Sequence, residues 1–198
     1  MSNYTYFTIS EEGVSDFRDR GSKFFGYAYP VASVDAAKAK LQELKKMHPK
    51  ASHHCFAWRI GFEGEQGRSS DDGEPSGSAG KPIEGQILSR KLTNVLVVVV
   101  RYFGGSLLGV PGLIHAYKTA AAQALDQCGI VERNIEYEIR VQFDYTIMND
   151  VQMLIRQFHC RINKQDMGLY CMFVISIPLE HKVQALQAFR DLRGLEML

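Results

Sequence analysis

The longest unbroken aliphatic run in the chain, Val95 to Val100, lies inside NVLVVVVRYF at 94–103. Apolar at every position rather than at alternate ones, it predicts a strand covered on both faces, by helices or by another layer. Upstream, FFGYAYPVASV (24–34) reads as a strand ending near Pro30 to Ser33. DAAKAKLQELKKM (35–47) then reads as a helix: Ala37, Leu41 and Leu44 share one face, lysines crowd the last turn and Asp35 stands at the N-cap position. HHCFAWRIGF (53–62) reads as a second strand. Residues 63–82 have the composition of a loop, and loops of that length in a compact domain are usually functional or disordered. A glycine stretch at 104–112 precedes LIHAYKTAAAQALDQCG, a long helix opened at or just after Pro111 and closed by Gly129.

From about Ile135 the pattern changes to strict alternation. In IEYEIRVQFDY, Ile139, Val141, Phe143 and Tyr145 fall on one face, and Glu138, Arg140, Gln142 and Asp144 on the other. Asn149 or Asp150 caps a helix through Phe158. A hairpin turns about Asp166 to Gly168, a helix follows over EHKVQALQAFRDLRG, and LEML is a last short strand. The order βαββαβ in some 60 residues predicts a ferredoxin-like plait. The class is therefore α+β, with domains at 1–134 and 135–198.

Composition narrows the function classes. The chain has 198 residues, 45% apolar and 23% charged, enough for one large domain or two small ones. Its net charge is +1, spread evenly: 16 Lys+Arg against 16 Asp+Glu in residues 1–138, and 7 against 6 after. No global field recruits nucleic acid or membrane, so nucleic-acid binding requires a local patch. Four cysteines without a CxxC read as reduced thiols of a cytoplasmic protein. The polar N-terminus lacks a targeting region, and no apolar run is long enough for a bilayer.

Two loops carry candidate chemistry. Arg101 is followed by Gly104 and Gly105, then by Gly109 and Gly112 at the start of a helix. Glycines let backbone amides approach a ligand, and a helix N-terminus with a nearby guanidinium suits an anion. The alternative is a tight turn that allows close helix–strand packing. The acidic loop RSSDDGEPSGSAGKP (68–82) holds Asp71, Asp72, Gly73, Glu74, Pro75, Gly77 and Gly80, with Arg68 and Lys81 at its ends. Its carboxylates could take Mg²⁺ or Ca²⁺, yet the EF-hand spacing is absent. The other reading is that they accept backbone N–H groups and neutralise Arg101 or Lys81. His53 and His54 point to opposite faces of a strand, and no companion motif completes a zinc site with Cys55. Neither a metal nor a cofactor is expected, and no nucleophile signature occurs.

Together, SKFFGYAYPV, HHCFAW, SSDDGEPSGSAGKP and VVVVRYFGGSLLGVPGLIHAY resemble the YigZ/IMPACT family over most of residues 21–125. The resemblance implies an N-terminal α+β domain like the second domain of ribosomal protein S5 and the fourth domain of elongation factor G. It implies a C-terminal ferredoxin-like domain similar to the last domain of that factor. Relatives commonly read LGxGGL where this chain has Leu108-Gly109-Val110-Pro111-Gly112-Leu113; Pro111 removes one amide donor from that turn. The resemblance implies a binding or regulatory module linked to translation, with RNA, the ribosome or a translation-regulatory protein as partner. RNA contact is expected from the glycine loops, Arg101, Lys81, Arg68 and Arg90. The alternative is an enzyme using the acidic and arginine–glycine loops as a phosphate or metal site.

Overall fold

The structure, a computed structural model, describes residues 4–198. The first ten elements are β1 (Thr5–Ile9), β2 (Gly13–Asp19), β3 (Ser22–Pro30), α1 (Val34–Met47), β4 (His53–Ile60), β5 (Gln66–Ser70), α2 (Gly80–Ser89), β6 (Val95–Tyr102), α3 (Gly109–Asp126) and β7 (Ile130–Asn134). Residues 6–133 form one compact unit, framed by a five-stranded sheet in the order β2-β3-β6-β4-β5. Every pairing in that sheet is antiparallel.

β6 is the centre of the sheet, and both of its faces are covered. Val95, Val97 and Val99 join a core with Ile83 and Ile87 of α2 and Tyr117, Ala120 and Ala124 of α3. Leu96, Val98 and Val100 join a second core with Leu41 and Leu44 of α1 and Phe56 and Trp58 of β4. A continuous apolar run usually signals a parallel strand. Here helices on both faces of an antiparallel sheet produce the same pattern.

α3 lies close to β2 and β3 because small residues meet there. Its Ala116, Ala120, Ala121 and Ala124 are fully buried, and Ser15 Oγ donates to the Ala120 carbonyl at 2.8 Å. A Cβ added at Gly26 would stand 2.5 Å from that carbonyl oxygen. Gly26→Ala is therefore expected to overpack the layer and destabilise this unit by about 1–3 kcal/mol. Urea denaturation followed by emission of the single tryptophan, Trp58, checks it; an unchanged midpoint would show that α3 can ride outward freely.

Two of the local differences from the sequence reading have simple causes. Ser33, not Asp35, caps α1: its Oγ accepts the Ala36 N–H at 3.1 Å, and Asp35 lies in the first turn beside the positive end of the dipole. Residues 63–82 are not one loop. Gln66–Ser70 pairs with β4, and α2 begins at Gly80, so the loop proper runs from 71 to 79.

The second unit comprises residues 134–198 with Tyr4 and Thr5. Its elements are β8 (Glu136–Phe143), α4 (Met148–Gln157), β9 (Arg161–Met167), β10 (Cys171–Pro178), α5 (Lys182–Asp191) and β11 (Leu195–Met197). The sheet order is β11-β8-β10-β9, all antiparallel. Ile139, Val141 and Phe143 of β8 pack with Phe173 and Ile175 of β10, Val151 and Ile155 of α4 and Phe189 of α5. Tyr145, placed on the same face by alternation, stands beyond the strand end in a single 3₁₀ turn. It is 46% exposed, and its hydroxyl donates to the Gly168 carbonyl. Both units are mixed α and β. Among the described residues no helix is long and apolar enough to cross a membrane.

Candidate functional site

The three carboxylates of the acidic loop have three different partners. Asp71 reaches forward to cap α2, whose own N-cap residue, Ala79, has no side chain to do so. Its Oδ1 accepts the N–H groups of Ala79 and Gly80 at 3.0 and 2.8 Å, and its Oδ2 accepts that of Gly77 at 2.9 Å. Partial burial alone would raise the Asp71 pKa. The N–H groups of Gly77, Gly80 and Ala79, with the charge of Lys81, outweigh it and hold the carboxyl below its ordinary value. Asp72 holds the start of β4: its Oδ2 accepts the His54 N–H at 2.7 Å, and Lys45 stands 3.9 Å away.

Glu74 turns inward. Its Oε1 lies 2.6 Å from Arg101 Nη1 and accepts the Tyr117 hydroxyl at 2.7 Å. Both charged side chains are nearly sealed, at 4% exposure for Glu74 and 6% for Arg101. Arg101 projects from the α2/α3 face of β6, so a carboxylate must follow it there. The guanidinium lies 5.5 Å from the Phe24 ring and 5.6 Å from the Phe103 ring. Its Nε finds no partner among the described residues. Burial, reinforced by the neighbouring Cys55 and Glu74, pushes the Tyr117 phenol far up, so it remains a donor. Burial likewise pushes the Cys55 thiol up, and that thiol donates to the Asp71 carbonyl at 3.0 Å. Such a cysteine is inert packing rather than a nucleophile.

His53 completes the polar cluster. Its Nδ1 is 2.8 Å from the Asp72 carbonyl, which can only accept, so Nδ1 carries a proton. Nε2 then faces the Glu74 carboxylate at 3.8 Å. Gly73, at φ +92°, passes against the same ring without a side chain. His54 points to the α1 side of the sheet, and neighbouring Asp72 and Lys45 belong to that side.

The glycines after Arg101 divide by task. Gly104 abuts the backbone of Gly21, with no room for a Cβ, and donates its N–H to Ser22 Oγ at 3.2 Å. Gly105 is open and exposed at φ +88°. Gly109 opens α3 at φ +71°, and Gly112 seats against Leu108. Pro111 costs α3 nothing, since the first N–H groups of a helix have no partner within it.

These pieces enclose a cleft of about 490 Å³. Its floor is polar: Ser52, His53, Glu74 and Arg101. Its walls are apolar: Pro75, Phe103, Leu107, Leu108, Val110 and Leu113. Leu107 is 84% exposed, Phe103 50% and Val110 46%, so the rim offers large apolar side chains to solvent. Arg68 and Lys81 do not line it. Arg68 lies over the Trp58 ring, and Lys81 pairs with Glu84 along α2. Asp71, Asp72, Gly77 and Gly80 serve the loop and the α2 terminus behind it. Among the described residues no group of three His, Cys, Asp or Glu side chains is arranged to hold a metal ion. Tyr117, Ser52 and the leucines escaped the sequence reading. Tyr117 was the one with a signal, being a bulky polar residue in an alanine-rich helix that packs on the strand bearing Arg101.

Comparison with known proteins follows the same residues. The family model of the Impact N-terminal domain matches residues 20–125. The IMPACT family member YvyE of Bacillus subtilis is 35% identical over 154 residues, covering 78% of this chain and 71% of that one. The IMPACT family member YigZ of Escherichia coli is 35% identical over 159 residues, covering 79% and 78%. A crystal structure described as that of a hypothetical protein superposes with a TM-score of 0.74 at 30% identity, covering 98% of this chain and 97% of the other.

Proposed function

The chain belongs to the IMPACT family, and from that premise we propose that it is a cytoplasmic, non-catalytic binding module of translation. The residue 6–133 unit is read as related to the second domain of ribosomal protein S5 and the fourth domain of elongation factor G. The 134–198 unit is read as a ferredoxin-like domain; its βαββαβ order and antiparallel four-stranded sheet support that reading. The cleft at the α3 N-terminus receives an apolar anchor from a protein of the translation apparatus.

One observation carries this reading: exposed Leu107, Val110 and Phe103 stand around a floor whose guanidinium is already matched by a buried carboxylate. A phosphate at that floor would meet Glu74 as well as Arg101. An apolar side chain meets leucine walls and displaces water from them, which is the anatomy of an interface hot spot. The roles of the acidic loop support a binding module over the enzyme alternative: Asp71 and Asp72 accept backbone N–H groups, and Glu74 meets Arg101 and Tyr117.

The test is co-sedimentation with purified ribosomes and polysomes across a salt series. Leu107→Asp and Val110→Asp change exposed side chains and leave the core intact. Each is expected to weaken retention by about 30-fold or more, the loss of a hot-spot contact of roughly 2 kcal/mol. Retention equal to wild type in both variants would remove the cleft from the interface.

A further inference from the structure

On the opposite face of β6 from Arg101, and sharing only Phe103 with the cleft, we propose a second site: a stacking pocket for a base of single-stranded nucleic acid. Strand alternation sends Arg101 to one face and Tyr102 to the other. Tyr102 is opposite Lys23, and Phe25 opposite Val100, in the β3–β6 register. α1 covers the middle of this face and stops at Met47, short of the strand ends. What remains open is a pocket of about 480 Å³, lined by Gly21, Lys23, Phe25, His48, Tyr102 and Phe103. Four of its six lining residues are ring-bearing, and its volume is in the range of small-molecule sites.

The rings are fixed in place. His48 lies nearly parallel to Phe25, with centroids 5.8 Å apart and planes at 20°. Its two ring nitrogens are 2.7 Å from the Tyr27 hydroxyl and 2.9 Å from that of Tyr102. One tyrosine therefore donates to the imidazole and the other accepts from it. Burial keeps His48 below its ordinary pKa, in keeping with a neutral ring. The polar edges of His48, Tyr27 and Tyr102 are satisfied by one another, so the half-buried rings of Phe25 and Tyr102 and the exposed ring of Phe103 line the pocket with carbon. Pre-ordered rings of this kind suit a π-face, and every base has one.

Charge selects the occupant. Lys23 lines the pocket with no carboxylate within 4 Å among the described residues; Asp16, opposite Phe25 in the β2–β3 register, is paired with Arg18 and attracts Lys23 only at longer range. The segment KKMHPK, 45–50, surrounds His48 with three lysines and no acid; of these only Lys45 has a carboxylate within 4 Å, Asp72 at 3.9 Å. Lys23 thus stands in the aromatic pocket, and Lys46 and Lys50 flank its His48 along the chain, in a protein that is near neutral overall. Rings to stack on, with lysines to meet the flanking phosphates, are the two requirements for single-stranded nucleic acid. An apolar protein side chain would need the rings but not the lysines.

The test is fluorescence anisotropy of a labelled single-stranded oligouridylate with the full chain, at several salt concentrations. Wild type is expected to bind with an affinity that falls as salt rises. Phe25→Leu, which keeps the apolar bulk and removes the ring, is expected to weaken binding by about 10-fold. The double variant Lys46→Glu/Lys50→Glu, confined to exposed positions, is expected to lower affinity and flatten the logarithmic salt slope by about 1–2. A paired duplex of the same length should bind more weakly, because its bases are already stacked. Where Trp58 emission shows that Phe25→Leu has lost its fold, the lysine variant and the duplex decide. No binding by wild type, equal binding of duplex, or an unchanged slope in the lysine variant would overturn the proposal. So would inorganic polyphosphate competing as well as oligouridylate, which would show a surface that holds charge alone.

Discussion

Replacing Glu74 with alanine is expected to destabilise the residue 6–133 unit by about 3–5 kcal/mol, the cost of leaving one member of a buried ion pair uncompensated. The substitution strands the Arg101 guanidinium, whose Nε already has no partner among the described residues, and deprives the Tyr117 hydroxyl of its acceptor. The charge is largely shielded from water, because its side chain is only 6% exposed and packs within 6 Å of the Phe24 and Phe103 rings. Urea denaturation read by Trp58 emission checks the effect in the right unit, since Trp58 is buried in the α1-side core. The double variant Glu74→Leu/Arg101→Met is expected to recover most of the loss, as apolar replacements of buried pairs commonly do. A small loss in Glu74→Ala, within about 1 kcal/mol, would mean that water reaches the guanidinium and that the pair acts as a surface salt bridge.

The second large effect is expected at Asp71. Asp71→Ala removes the acceptor of three backbone N–H groups at once and uncaps α2, for a loss of roughly 3 kcal/mol. Its dependence on pH has a definite sign. The folded-state pKa is lowered: burial opposes the shift, and the N–H groups of Gly77, Gly80 and Ala79 with the Lys81 charge outweigh it. The unfolded chain therefore binds the proton more tightly. The stabilisation is fully present above the ordinary carboxylate value near 4 and is lost as pH falls through the lower folded value. Wild type should lose stability over that acidic window, and Asp71→Ala should lose less, so the two curves converge as pH drops. Parallel curves would assign the capping stabilisation to geometry independent of charge.

These two side chains, together with Asp72, account for the density of acids in one short loop. The loop is a backbone device: one carboxylate caps a helix, one holds a strand start and one neutralises an arginine. It positions Pro75 and Glu74 at the cleft and His53 beside them. Exposed Leu107 and buried Leu108 on the far wall come from the other loop, between β6 and α3. The cleft is thus assembled by two loops about thirty residues apart in sequence, converging on the end of one buried strand.

Much of this was legible from the chain because it is written in short-range signals. The largely β-branched run Val95–Val100 pointed to a strand covered on both sides, as it is. The strict alternation of Ile139, Val141 and Phe143 placed one face of β8 in the core, and it failed at Tyr145 because the strand ends at Phe143. The long motifs around HHCFAW and the two loops pointed to the family by themselves. β5 was invisible, because Gln66–Ser70 has no apolar alternation and owes its strand state to hydrogen bonds with β4. The α1 cap moved to Ser33 for a similar reason: several residues near a helix start can cap it, and the chain path chooses among them.

The pairings inside the site were decided by tertiary structure alone. The sequence offered Asp71, Asp72 and Glu74 as equal partners for Arg101. The choice of Glu74 follows from where α2 begins, because its free N–H groups take Asp71, and from where β4 begins, because the His54 N–H takes Asp72. Tyr117 reaches the same carboxylate only because small residues let α3 lie close to β2 and β3. The aromatic pocket is also a product of folding: Lys23, Phe25, His48 and Tyr102 come from three separate elements, and only the antiparallel β3–β6 register and the end of α1 bring them together. The sequence by itself determined the family, the charge economy of the chain and its strongly patterned elements, among them α1, β4, β6, α3 and β8, since those depend on neighbours along the backbone; β1, β2, β5, α2 and β7 were not read from it. The identity of each ion pair, and which rings share a pocket, depend on neighbours in space.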